Sequence, residues 1–106
     1  MRDFVAAISG TAPAAEEPGF AMFDLPNGDR IEIFDAPEGE PSYMTAPVAG
    51  FLVDDVDAAK AELAAMGIEL LGPGGRMPDG YAWQHFRGPD GHVYEVTAHP
   101  GHPARE

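Results

Sequence analysis

Glu32 and Glu95 are the residues of this chain whose type and setting first suggest chemistry. Each is the one acid in the middle of a strand-like segment, RIEIF in one case and HVYEVT in the other. At a constant offset of 63 residues, Pro26, Asn27, Gly28 and Glu32 fall on Pro89, Asp90, Gly91 and Glu95. A carboxylate inside a strand can bind a divalent cation, or it can stand in a wet cavity with a pKa raised by crowding. His85 adds an imidazole that, beside Glu95, could serve as a general base, a surrogate metal ligand or a hydrogen-bonded partner shaping a pocket. Trp83, the only tryptophan, offers a flat apolar wall or a core side chain.

The elements that must position these groups are two hairpins, and their turns set the register. Gly88-Pro89-Asp90-Gly91-His92 suits a type I turn with glycine at the left-handed position, a three-residue loop with a bulge. Residue 88 then pairs with 92, 86 with 94, 85 with 95 and 83 with 97. Because paired residues share a face, Trp83, His85, Glu95 and Thr97 lie on one side, and Gln84, Phe86, Tyr94 and Val96 on the other. The same rule applied to Leu25-Pro26-Asn27-Gly28-Asp29 pairs Met22 with Glu32 and Phe20 with Phe34, leaving Ala21, Phe23, Ile31 and Ile33 opposite. Each hairpin thus has a plain apolar face for packing and a mixed face holding an acid.

Around the hairpins the pattern repeats in part. Residues 3–9 read as the end of a helix stopped at Gly10, and Thr11 to Pro18 as a weak edge strand or loop. Ala36 to Ala46, with two prolines and a glycine, reads as a linker. Pro47 to Val53 is a short apolar strand, and Asp54-Asp55 supply a cap for a helix from Val56 to Met66. Its apolar face is Val56, Ala59, Leu63 and Met66, and Gly67 ends it. Ile68 to Leu71 is a strand, Gly72 to Gly80 is expected to be a flexible loop long enough to act as a flap, and residues 99–106 a frayed tail. If Gly10 plays the part of Gly67, the counterpart of the Pro47–Val53 strand would fall before Met1. The first copy is therefore expected to lack its leading strand.

Composition narrows the function classes. At 106 residues the chain is expected to be one domain, with residues 1–35 a truncated first module, 36–46 a linker, 47–98 a second module and 99–106 the tail. Eighteen acids against six bases give a net charge of −12, a surface that repels nucleic acid. With no cysteine, disulfides, thiolate zinc sites and a cysteine nucleophile are excluded. No apolar run is long enough to span a membrane, and the start, MRDFVAAISG, lacks the form of a signal peptide, so the cytoplasm is the expected compartment.

The segments LPNGDRIEIF, PVAGFLVDDVDAAKAELAAMGIELLGP and YAWQHFRGPDGHVYEVT together resemble the vicinal oxygen chelate superfamily, the glyoxalase, bleomycin-resistance and extradiol-dioxygenase group. The resemblance covers Phe20 to Thr97. It implies an α+β fold of paired βαβββ modules forming a half-open barrel around a small-molecule site, here without the first strand. In metal-dependent members the ligands come from the first and last strand of each module. Glu32 and Glu95 match the last-strand ligands. The first-strand position of the second module, usually histidine three residues before the strand's phenylalanine, is Val48, which cannot bind a metal. Two carboxylates without imidazoles suit zinc, iron or nickel poorly and leave magnesium or manganese open.

The expectation that follows is a small-molecule-binding protein related to the bleomycin-resistance type, with no cofactor required and a divalent metal as the one candidate. Its ligand would be apolar or aromatic and held by Trp83, His85, Glu95, Glu32, Phe34, Met22 and Phe20. Two alternatives stand beside it: a metal-dependent lyase or dioxygenase whose lost ligands are replaced by His85 or a partner chain, and a degenerate domain acting only through dimerisation. A missing leading strand would leave a bare sheet edge, so a homodimer covering it is expected. His92 in its turn, and His99 and His102 in the tail, read as exposed residues without a role.

Overall fold

A computed structural model of the chain describes residues 1–34 and 47–100. They belong to two compact units, one on each side of that gap. The linker expected over Ala36–Ala46, and His102 with the end of the tail, lie outside the described residues. The architecture is α+β, with two helices and two sheets among the described residues.

The first unit runs α1 (Arg2–Ser9), β1 (Ala15–Glu17), β2 (Phe20–Asp24) and β3 (Arg30–Phe34). An eight-residue helix is too short to be stable in isolation, so α1 depends on burying Val5 with Ala21 and Phe23. Gly10, at φ 72°, ends it and returns its N–H to the Ala6 carbonyl. Arg2 ties the helix to β1 through both oxygens of Glu16, with Nη2 3.0 Å from Oε1. That contact raises the Arg2 pKa and lowers that of Glu16. The sheet order is β1-β2-β3, all antiparallel. In the hairpin, Phe20 pairs with Phe34 and Met22 with Glu32, the register expected from the turn. Ala21 and Phe23 are buried on the opposite face.

The second unit runs β4 (Ala49–Leu52), α2 (Val56–Ala65), β5 (Leu70–Arg76), β6 (Ala82–Arg87) and β7 (Val93–Ala98). Its sheet has the order β4-β7-β6-β5, with β4 parallel to β7 and the other pairs antiparallel. The first unit therefore repeats the helix and three strands of the second, with no counterpart of β4 among the described residues. Asp55 caps α2 by accepting from the Ala58 N–H at 3.2 Å, an interaction worth about 1 kcal/mol. Val56 packs with Ala82, Phe86, Val96 and Ala98, and Ala59 and Leu63 lie against that cluster. Met66, expected on the same face, is instead 72% exposed. It is the helix's last cap residue, and Gly67 at φ 79° turns the chain away there.

The segment from Gly72 to Gly80 departs from the flexible loop expected of it. Residues through Arg76 are not a flap but part of β5, paired with β6 across a bulge between Leu71 and Gly75. Gly72 and Gly74, at φ 70° and 67°, supply the left-handed turns of the bulge. The fully buried Gln84 side chain donates to the carbonyls of Leu71 at 2.9 Å and Gly72 at 3.1 Å, tying the start of the bulge to β6. The glycines that look flexible in sequence are what makes this bulge sterically accessible.

Candidate functional site

The second hairpin adopts the register its turn dictates. The Gly88 N–H meets the His92 carbonyl at 2.8 Å, the Gly91 N–H meets the Gly88 carbonyl at 2.9 Å, and His85 pairs with Glu95 and Trp83 with Thr97. The turn is locked from the core face. The Tyr94 hydroxyl donates to Asp90, which also accepts the His92 N–H at 3.0 Å. The Tyr94 contact, and then the His92 N–H, lower the Asp90 pKa, and Asp90 in turn raises that of Tyr94.

Because cross-strand partners share a face, the registers define two rows spanning the sheet. One is Leu71, His85, Glu95 and Gly50; the next is Gly75, Trp83, Thr97 and Leu52. This face lies opposite the Phe86–Val96 core, so its residues are not there to pack α2. At its centre His85 Nε2 and Glu95 Oε2 are 3.1 Å apart, with side chains 12% and 20% exposed. Partial burial makes that pair more than a screened surface contact. Gly50 leaves the β4 side of Glu95 bare, and a Cβ there would stand 3.5 Å from Oε1.

Trp83 lies along the sheet, directly over Gly75. A Cβ at Gly75 would be 2.2 Å from the indole Cζ2 and 2.4 Å from Cη2. Tyr81 follows at 5.4 Å between ring centroids, and His99 meets Tyr81 edge-on at 4.4 Å. The Thr97 hydroxyl donates to the Ala82 carbonyl and lies 3.1 Å from His99 Nε2. A hydroxyl has one proton, so Nε2 is the donor to Thr97. His99 is therefore a half-buried member of this face rather than an exposed tail residue. Tyr81 and His99 were missed by the sequence reading, although strand alternation continues 85-83-81 and 95-97-99 onto them. His92 is exposed in its turn, as expected.

The remaining candidate residues lie in the first unit. Phe20 and Phe34 stand 5.1 Å apart with tilted rings, and Met22 faces Glu32 across the strands. Phe34 is 58% exposed. Glu32 belongs to this unit, while Trp83, His85 and Glu95 belong to the other.

Within the second unit the donors for the family's metal are few. The matching first-strand position is the hydrocarbon Val48, and His85 with Glu95 supplies two donors where a structural or catalytic centre takes three or more. Among the described residues no three His, Cys, Asp or Glu side chains come together as a ligand group.

Comparison with known proteins bears on the fold. Folds closely similar to this one include NAD-dependent benzaldehyde dehydrogenase from Legionella pneumophila, at 24% identity over 92% of this chain and 86% of that one, TM-score 0.65. Methylmalonyl-CoA epimerase from Streptomyces coelicolor, in complex with 2-nitronate-propionyl-CoA, aligns at 16% identity over 95% and 85%, TM-score 0.66. At such identities the likeness is one of fold. A glyoxalase family protein from Bacillus cereus shares 26% identity over 74% and 60%, TM-score 0.47. No curated protein is similar enough to count as a match. The profile of the Glyoxalase/Bleomycin resistance protein/Dioxygenase superfamily, however, matches residues 3–96, nearly the whole sequence, and the chain belongs to that superfamily.

Proposed function

We propose that the chain is a small-molecule-binding member of this superfamily that works without the group's usual catalytic metal. The ligand is apolar or aromatic and rests on the face carrying Trp83, His85 and Glu95. One observation carries the reading: the indole of Trp83 is laid over Gly75, on the side of the sheet away from the α2 core, beside a half-buried imidazole–carboxylate pair. A flat ring next to a few polar groups is what a small-molecule site requires. Val48 at the family's ligand position supports the metal-free part. The same reading has residues 1–106 acting as one domain, in the cytoplasm, as a homodimer and with neither nucleic acid nor membrane as a partner.

The test combines elemental analysis of protein purified without chelator, divalent-metal titration followed by Trp83 fluorescence, and thermal shift against small aromatic compounds. The expected result is no stoichiometric metal and a rise in melting temperature with a subset of compounds. A ligand at a hundred times its Kd adds about 2.7 kcal/mol, a shift of roughly ten degrees for a domain of this size. About one metal per chain would overturn the metal-free reading in favour of a lyase or dioxygenase using His85 and Glu95. Neither metal nor ligand response would leave a domain acting only through dimerisation.

A further inference from the structure

We propose that the ligand of this face is cationic: a planar ring bearing an amidinium or ammonium group, with the ring on Trp83 and the N–H donors on Glu95 Oε1. The inference rests on the small-molecule reading above and names the ligand class.

Three observations point the same way. Glu95 divides its two oxygens between different surroundings. Oε2 lies 3.1 Å from His85 Nε2, whereas Oε1 lies on the side of Gly50, where the sheet carries no side chain. That leaves a carboxylate oxygen open to a donor arriving over β4, whose residues are all exposed. Glu95 is also the diagonal neighbour of Trp83 across β6 and β7, a separation of about 7–8 Å that a single ring with an attached cationic group spans. Cations are attracted to indole faces as well as to carboxylates.

The arginines do not favour an anion. Arg87, on the same strand face as His85, has Nε 3.4 Å from Glu69 Oε1 and donates from Nη1 to the Gly91 carbonyl at 2.9 Å. Arg76 is bound to Asp57 at 3.0 Å, Arg30 to Asp24 at 2.8 Å, and Arg2 to Glu16 and Asp3. Every arginine among the described residues is thus ion-paired, and the chain carries a net charge of −12 that concentrates cations and repels anions.

Benzamidine, benzamide and benzoate share a ring and differ in charge, so they separate the two parts of the reading. Binding is followed by amide and indole N–H chemical shifts of the labelled full chain at low salt. Benzamidine is expected to bind at least about tenfold more tightly than benzoate, the scale of one charge-assisted hydrogen bond. Its shifts should centre on Gly50, Trp83 and Glu95, and added salt should narrow its advantage. Glu95→Gln should abolish the advantage of benzamidine over benzoate. Gly50→Ala, whose methyl would sit in ordinary contact with Oε1, should weaken benzamidine alone. Equal binding of all three, tighter benzoate, or benzamidine shifts elsewhere on the chain would overturn the cation assignment while the aromatic site stands. No binding of any of them at this face would sink both.

Discussion

Adding one methyl group at Gly75 tests whether Trp83 lies where the candidate site needs it. A Cβ there would come within 2.2, 2.4 and 2.7 Å of three indole atoms, distances that real Cβ atoms do not show. Gly75 is not among the glycines with positive φ, so its backbone tolerates alanine and the whole cost comes from the ring. Overpacking of this kind costs about 1–3 kcal/mol. In the Trp83→Leu background, the contact is gone and the glycine's excess unfolded-state entropy remains. There Gly75→Ala should be neutral or stabilising by about 0.4–1 kcal/mol. The entropy gain is common to both backgrounds and cancels, so the double-mutant cycle predicts a coupling of about 1–3 kcal/mol, the overpacking cost alone. Urea unfolding followed by far-UV circular dichroism reads all four variants, since it does not depend on the tryptophan. Trp83 emission in the Gly75→Ala protein should shift at the same time, because the ring has to leave the strand. A coupling below about 0.5 kcal/mol with unchanged emission would show that the indole does not lie on Gly75, and the aromatic platform would fall with it.

Gln84→Leu should cost about 1–3 kcal/mol for each bulge carbonyl left without a donor, and amide exchange should accelerate in β5 before it does in β7; uniform exchange would refute the bulge-pinning role. Tyr94→Phe should raise the Asp90 pKa toward the ordinary carboxylate range, since the Tyr94 hydroxyl is the main cause of its depression. Asp90's contribution to stability is present above its unfolded pKa and is lost as pH falls through the lowered folded value. Tyr94's contribution is present below its unfolded pKa and is lost as pH rises through its raised one. Removing the hydroxyl should flatten both arms of the stability–pH profile, and carbon-detected titration of Asp90 showing no movement would refute the contact.

Much of the site was legible because it depends on short-range geometry. Pro89, Asp90 and Gly91 choose a three-residue loop, the loop sets the register, and the register puts His85 opposite Glu95 and Trp83 opposite Thr97. Pro26, Asn27 and Gly28 do the same for Met22 and Glu32. Gly10 and Gly67 end their helices for an equally local reason, the left-handed conformation each adopts at its helix's C-terminal end. These outcomes need no knowledge of the rest of the chain.

Tertiary structure decided what local patterns leave open. Gly72 to Arg76 reads as loop because glycine and proline dominate it, yet pairing with β6 and the amide of Gln84 hold it as a bulged strand. Gly50 lies beside Glu95 through a parallel pairing that brings together residues 45 positions apart, which no turn chemistry encodes. His99 becomes part of the site because Tyr81 and Thr97 engage it, and Met66 misses the core because α2 turns away one residue too early. The sequence alone determined which residues share a hairpin face, since a turn acts over a few bonds. The fold decided what lies on either side of that face, since strand order is settled by burial between segments far apart in the chain.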